Sequence, residues 1–435
     1  MFLSSSITRT RNAGRVRACS LRSGCTSGEP TEDILDKLRA GGERVQGEIP
    51  RRFTRLRDLL DQQLAEGRHL GVAVCIYKDG EPVVDAWGGE AEPGRPWERD
   101  TCATVFSTTK GVTATCLHLL VERGKIGLDD PVVRHWPTFA RKASGASKER
   151  VTVRHLLSHQ AGLPMCPHGV TRFEQTVDWD FMVREMEDLL PEWEPGTANG
   201  YHAINYGWLV GELIRRISGQ RIGEFLRDEV AEPLGLEGVH IGLPDALHAK
   251  VAPLEPPPPG HHPADGPNQD LRDPTSLAFR TILRPEGDMV AFMNTRAARS
   301  AEFPASGGIA TARGLARMYA CLAHGGTLDG VRLLSPSTLA EATTSQVPEG
   351  RRDLVLGVPM RWALGFHKGG EFTATGPNPN SFGHAGYGGS LAFADPDAGL
   401  GFAIVLNRMQ NELQGGFRVL MAVRAVYDSL DDARA

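Results

Sequence analysis

A chain of 435 residues, 40% hydrophobic and 23% charged, has ample material for one large core or two smaller ones. Its formal charge of −5 leaves no electrostatic footprint for nucleic acid or an anionic membrane surface, and no run approaches the roughly 18 apolar residues needed to span a bilayer. The seven cysteines (19, 25, 75, 102, 116, 166 and 321) are odd in number and lack paired metal-type spacing, which favours reduced thiols in a cytosol-like compartment over a disulfide framework.

The first 28 residues carry five Arg and no acidic residue before Glu29. They read as a transit peptide, a flexible tail or a start placed too far upstream; a secretory signal is disfavoured because no continuous apolar segment follows. Residues 1–30 are therefore set apart from a domain expected over 31–430. The expected location is cytoplasmic, or an organelle if the leading segment is a transit peptide.

Apolar residues at spacings of three and four predict an amphipathic helix from Arg51 to Glu66. Gly71–Tyr77 and Pro82–Trp87 predict a β-hairpin across Lys78-Asp79-Gly80, ended by Gly88-Gly89. A second hairpin-like stretch leads to Ser107, after which Val112, Cys116, Leu117, Leu120 and Val121 mark a helix closed by Gly124. Gly127–Val132 reads as a turn and short helix, and Val151–Leu163 as a helix closed by Gly162. His155 and His159 then stand at the i,i+4 spacing of a zinc helix. Leu156 replaces the expected Glu and no third ligand is evident, so helix-packing or loop-bonding histidines are the better reading and no metal is expected.

The breakers Pro195–Gly200 lead to Tyr201 and then to a helix with Leu209, Leu213, Ile214 and Ile217 on one stripe. The stretch 253–273 is too rich in proline for regular structure and reads as a surface loop. Ala305–Thr311 is a Gly-rich turn before a helix from Ala312 to His324. Towards the end the pattern turns β, with strands at Arg361–Phe366 and from Phe382 into the Gly-rich turn at 386–389. A hairpin of 390–394 with 400–406 follows, and a closing helix from about Glu412 to Leu430. Strands at both ends and helices between them predict an α/β fold of the α+β kind. One antiparallel sheet would be built from both chain ends and flanked by helices, with a mainly helical insertion at about 120–300 and a site in the cleft between.

Ser107-Thr108-Thr109-Lys110 carries the chemistry. Ser is a good N-cap, but the third position after a cap usually holds Glu or Gln, and Lys110 is the wrong charge for a first helical turn. The chain holds 8 Lys against 40 Arg. Arg cannot give up its proton, whereas a buried Lys can. The pair thus reads either as a helix cap with an incidental lysine or as a nucleophile beside its base. With 20 Ser and 8 Lys, Ser-x-x-Lys arises by chance about 0.4 times in such a chain, so the motif needs support from elsewhere.

That support is the order of three motifs. Ser107-x-x-Lys110, then Pro195-Gly196-Thr197 with Tyr201, then His384-Ala385-Gly386 together resemble the serine β-lactamase and penicillin-binding-protein superfamily. Within it the likeness is to class C β-lactamases and family VIII carboxylesterases, over roughly residues 50–425. The resemblance implies Ser107 as acylated nucleophile, Lys110 as its base and Tyr201 as proton relay. It also implies an oxyanion hole from the backbone N–H groups of Ser107 and Tyr387, substrate contact at His384, Ala385 and Gly386, and no cofactor. Two departures bear on substrate. The Tyr-x-Asn motif reads Tyr201-His202-Ala203, with Asn205 two residues on and facing elsewhere, and the Lys of Lys-Thr-Gly has become His384. Both remove groups that hold a β-lactam, which points to a small neutral ester. An acyltransferase working on alcohols shares every motif; a β-lactamase or D,D-peptidase and a non-catalytic scaffold are the remaining readings. Oligomeric state is not written in these residues.

Overall fold

The computed structural model describes residues 44–142, 147–257, 268–371, 373–410 and 416–431. The expected leading segment and residues 258–267 of the Pro-rich loop lie outside them. Strands β1 (Val45–Glu48), β2 (Gly71–Lys78) and β3 (Glu81–Glu92) come from the start of the chain, with β4 (Arg95–Pro96) hydrogen-bonded to β3. The short strands β5 (Ala103–Thr104), β6 (Val239–Ile241) and β7 (Gly308–Ala310) form a separate sheet in the order β5-β7-β6, and β8 (Thr327–Leu328) pairs with β9 (Val331–Arg332). Strands β10 (His367–Lys368), β11 (Phe382–Ala385), β12 (Leu391–Asp395) and β13 (Leu400–Leu406) complete the main sheet, whose order is β1-β3-β2-β13-β12-β11-β10. The two chain ends join where β2 and β13 run antiparallel, from Val72↔Leu406 to Lys78↔Leu400.

Period-2 alternation explains the layers. On β2, Val72, Val74 and Ile76 belong to one buried cluster and Ala73, Cys75 and Tyr77 to the other; on β13, Leu400, Phe402, Ile404 and Leu406 oppose Ala403 and Val405 in the same way. Helices α1 (Thr54–Ala65) and, at the far end of the chain, Gly416–Asp431 cover the first face through Leu56, Leu60, Val419, Val423 and Val426. Helix Ala312–Ala323 covers the other, through Leu315, Ala316, Tyr319 and Ala320. Both faces of β2, β12 and β13 are covered, so this part of the sheet sits as the middle of three layers.

Between β5 and β7 the described chain is mainly helical. Its principal helices are α2 (Thr109–Glu122), α3 (Val153–Leu157), α4 (Trp179–Asp188) and α5 (Asn205–Ser218), the last closed by Gly219 at φ 77°. Helix α2 is buried along nearly its whole length and packs against α5.

Four expectations need correction. β3 runs through Gly88-Gly89 to Glu92; these glycines do not end it, because a Cβ at 89 would lie 2.1 Å from the Leu70 carbonyl oxygen, so close strand approach is their purpose. The helix expected over 151–163 stops at Leu157, since His159 is left-handed at φ 60°. The turn at 305–311 contains β7, which bridges β5 and β6. Arg361–Phe366 is not a strand: the Ala363 N–H donates to Phe366 O and Gly365 sits at φ 87°, closing a turn just before β10. Among the described residues no helix is long and apolar enough to cross a membrane, and Cys75, Cys102, Cys116, Cys166 and Cys321 are all unpaired.

Candidate active site

The turn that carries Ser107 is pinned on two sides. The Val105 N–H donates to Gly308 O of β7 (2.8 Å), and Val105 O accepts from Ser390 Oγ (2.6 Å), next to β12. Phe106 takes a left-handed φ of 43°, uncommon for an aromatic residue and held by this anchoring. Thr109 Oγ1 donates to Phe106 O (2.5 Å) and accepts from the Gly308 N–H (2.9 Å). No side chain caps α2, so the capping alternative for Ser107 falls away and its half-buried hydroxyl faces the cleft.

Two groups reach that hydroxyl. Lys110 Nζ lies 3.1 Å from Ser107 Oγ and also donates to Ala203 O (2.7 Å) and Ala305 O (3.0 Å). The amine is fully buried, and burial alone holds it well below the ordinary lysine value. A neutral amine has two hydrogens and one lone pair. The two carbonyls take the hydrogens, and the lone pair remains for the serine proton. From the other side Tyr201 Oη donates to Ser107 Oγ at 2.7 Å. Burial raises the tyrosine above its usual range, partly opposed by its bond to Ser107 and reinforced by Asp353. The phenol therefore enters as a proton donor.

Tyr201 stands on an irregular segment before α5, and its ring stacks on Trp362 with centroids 5.3 Å apart and planes 3° from parallel. His159 packs edge-on against both rings, at 5.0 Å from Tyr201 and 4.5 Å from Trp362. Its Nδ1 accepts from the His202 N–H (3.2 Å). His202 Nε2 accepts from the Leu163 N–H (2.9 Å) while Nδ1 donates to Gly200 O (2.7 Å). These histidines bind loops, as does His155, which closes a capping box with Thr152. Among the described residues no group of three His, Cys, Asp or Glu could hold a metal.

His384 lies on β11, 2% exposed, with its ring centroid 6.0 Å from that of Tyr201. Nδ1 donates to Ala385 O (2.7 Å) and Nε2 has no protein partner. Burial, then the neighbouring Lys110, hold it well below 6.5, so it is neutral. Ala385 is equally buried. Gly386 is a glycine for a visible reason: a Cβ there would lie 2.1 Å from Ser390 Oγ and 2.3 Å from Val105 O. Only without a side chain can the end of β11 close on the nucleophile turn. Tyr387 follows, its ring edge-on to Phe106 at 5.5 Å. Asn205 faces away, donating to Leu163 O (2.9 Å) and Met165 O (2.6 Å).

A cavity of about 90 Å³ opens beside Ser107 and Tyr201, walled by Ile204, Ile282, Leu283, Met289, Leu356 and Tyr387, and among the described residues no charged side chain lines it. His384 lies behind Tyr201 and is not among the lining residues. A larger groove of about 710 Å³ is lined by Tyr77, Asp85, Arg99, Glu237, Arg313 and Arg317. It contains none of the motif residues, so chemistry rather than size identifies the site. Sequence reasoning missed Trp362, Asp353 and the apolar wall. Nothing local marks them, because each comes from a segment far from Ser107 in the chain.

The chain has known relatives. The Beta-lactamase family model matches residues 56–422. The chain is 37% identical over 393 residues to "Esterase/beta-lactamase LipL" of Mycobacterium tuberculosis (strain ATCC 25618 / H37Rv), covering 86% of this chain and 85% of that protein. It is 29% identical to "Esterase EstB" of Burkholderia gladioli over 197 residues, 42% of this chain and 50% of that protein. Among solved structures, a family VIII carboxylesterase superposes with a TM-score of 0.78 at 36% identity, covering 88% of this chain and 99% of that one. A penicillin-binding-protein homolog from Caulobacter crescentus gives a TM-score of 0.77 at 37% identity, with the same coverage.

Proposed function

The chain belongs to the Beta-lactamase family, and from that premise we propose that it is a serine hydrolase of small, uncharged carboxylic esters. One observation carries the proposal: Ser107 Oγ sits between a buried, partnerless-in-charge amine at 3.1 Å and a phenol at 2.7 Å, beside a cavity without a charged wall. The relatives and neighbours whose names read esterase or carboxylesterase support the same reaction.

In the first half-reaction Ser107 Oγ bonds to the ester carbonyl carbon as its proton passes to Lys110 Nζ. The new ammonium keeps Ala203 O and Ala305 O as acceptors. The oxyanion is received by the backbone N–H groups of Ser107 and Tyr387. On collapse the carbon–oxygen bond to the alcohol breaks, Tyr201 gives its proton to the leaving oxygen and recovers one from Lys110. Water then attacks the acyl-enzyme with its proton passing back along the same groups, which releases the acid and restores Ser107. Ala385 and Gly386 flank the substrate strand side, with His384 behind Tyr201 as a neutral group. No cofactor enters any step. Among the described residues five cysteines are unpaired, which is in keeping with a reducing, cytosol-like compartment.

The test offers purified protein p-nitrophenyl butyrate and a chromogenic cephalosporin beside Ser107→Ala. Ester turnover abolished by the substitution, with cephalosporin turnover at least a hundredfold lower in kcat/KM, is the expected result. Fast cephalosporin turnover with poor ester turnover would reverse the substrate assignment. Failure of a fluorophosphonate to label Ser107 would remove the acyl-enzyme altogether.

A further inference from the structure

Resting on that reading of Tyr201, we propose that Asp353 is the positioning residue of the site, a single buried carboxylate that holds the proton-relay tyrosine in register with Ser107. Tyr201 needs such a holder. Asn199–Ile204 is irregular chain with no ladder or helix to fix it, yet the phenol must meet Ser107 Oγ at 2.7 Å. A displacement of about 1 Å at such a contact can cost a hundredfold in rate.

Asp353 is 0% exposed and accepts five hydrogen bonds. Oδ1 takes the backbone N–H of Tyr201 itself (3.0 Å), of Val355 (2.9 Å) and of Leu356 (2.9 Å). Oδ2 takes Trp362 Nε1 (2.9 Å) and Asn199 Nδ2 (3.2 Å). Every one of these partners bears on the relay. Tyr201 is held through its own backbone, and its ring is held through Trp362, on which it stacks. The bond to Asn199 fixes the chain two residues before Tyr201, where Asn199 O also accepts the Leu354 N–H (3.0 Å). Leu356 is part of the cavity wall. The carboxylate thus couples the relay, the plate beneath it and the substrate wall in one rigid unit.

Five donors and no cation among its partners set Asp353 apart from surface carboxylates such as Asp129 and Asp188, which are paired with Arg. A carboxylate buried without a cation is costly unless its lone pairs are filled by N–H groups, and here they are. The chain has a useful comparison in Asp395, also 0% exposed and filled by the Asp397 and Ala398 N–H groups, Asn378 and Tyr427. Asp395 closes the hairpin turn between β12 and β13 and touches nothing in the site.

Asp353→Asn keeps shape and volume, but its one amide oxygen can face either the three donors at Oδ1 or the two at Oδ2, so at least two of the five bonds are lost whichever way it turns. The experiment measures kcat and KM of wild type, Asp353→Asn, Asp395→Asn and Trp362→Phe with ethyl butyrate and p-nitrophenyl butyrate, alongside melting curves. Asp353→Asn is expected to lower kcat/KM, which reports acylation, at least thirtyfold with ethyl butyrate while leaving KM within threefold. Its loss is expected to be at least fivefold smaller with the p-nitrophenyl ester, whose leaving group needs no proton. Asp395→Asn is expected to melt earlier and keep wild-type kcat. If Asp353→Asn matches Asp395→Asn in keeping kcat, or loses equally on both esters, the proposal is overturned. Should Asp353→Asn fail to fold, Trp362→Phe decides: the same leaving-group signature supports the proposal, and wild-type kcat overturns it. Loss of all activity in Ser107→Ala together with wild-type Asp353→Asn would spare the esterase reading and sink only this inference.

Discussion

Removing one oxygen from Tyr201 separates its two jobs. In Tyr201→Phe the ring keeps its stack on Trp362 and its edge contact with His159, and only the 2.7 Å bond to Ser107 is lost. A neutral hydrogen bond contributes about 0.5–1.5 kcal/mol, and Ser107 is half-buried at the cavity, where water can replace the donor. The melting temperature should therefore fall by at most about 4 °C. Rate should fall far more, because a positioned general acid contributes about 10²–10⁴-fold, equivalent to about 3–5 kcal/mol in the barrier. The assay is kcat/KM, which reports acylation alone, for ethyl butyrate by pH-stat and p-nitrophenyl butyrate by absorbance. An alkoxide cannot leave unprotonated and a nitrophenolate can. The alkyl ester should lose about 10²–10⁴-fold, and the activated ester at least tenfold less. Equal losses on both esters would show that Tyr201 does not protonate the leaving group, and a loss under tenfold on both would remove it from catalysis.

Lys110 sets the acid limb of the kcat/KM profile. Its value is depressed by burial, so the free base is present well below the ordinary lysine range, and activity should fall only as the pH drops through that lowered value; Lys110→Arg, which cannot deprotonate, should be inactive at every pH, and residual activity that rises with pH would contradict this. Stability should be lost on the acid side. Burial lowers His118 to about 4, His202 to about 3 and His367 to about 4, below the ordinary 6.5. Between these values the unfolded chain binds protons that the folded chain refuses, so stability is full above pH 6.5 and declines as pH falls towards 4, by about 1.4 kcal/mol per unit for each group. Melting curves between pH 7.5 and 4.5 should show a drop of several degrees, and a flat profile would refute it.

What could be read from residue order was what local rules decide. The alternation in 71–77 and 400–406 is visible because both faces of these strands are buried, and Ser107 with Lys110 because one helical turn sets them together; Tyr201 alone reads as packing, and only the order of the three motifs and the resemblance it carries single it out. The misses share one cause. His159 looks like a helix residue, but its left-handed backbone is held from outside: its carbonyl accepts the Gly200 N–H (3.0 Å) and its ring accepts the His202 N–H. Trp362-Ala363-Leu364 looks like a strand because it is apolar. It is apolar because it forms the floor beneath Tyr201 and α2, all three residues at most 1% exposed. Asp353 follows two arginines and reads as a surface charge; two of its five donors, Val355 and Leu356, are its near neighbours, but Asn199, Tyr201 and Trp362 are brought to it by the fold.

The site's electrostatics explain why these tertiary contacts matter. Lys110, His159, His202 and His384 are all held towards their neutral forms by burial, and the cavity wall carries no charge. In the proposed reaction the strongest fields would then be those the reaction itself creates, the Lys110 ammonium and the oxyanion, formed together in a medium where their attraction is little screened. A substrate that brought its own carboxylate would find no charged side chain among the described residues of the cavity wall, and would have to shed its hydration with nothing charged to receive it. An uncharged ester avoids that cost. With no counter-ion to steer the groups, hydrogen bonds must supply the geometry, and the carboxylate that supplies most of them stands behind Tyr201, at Asp353.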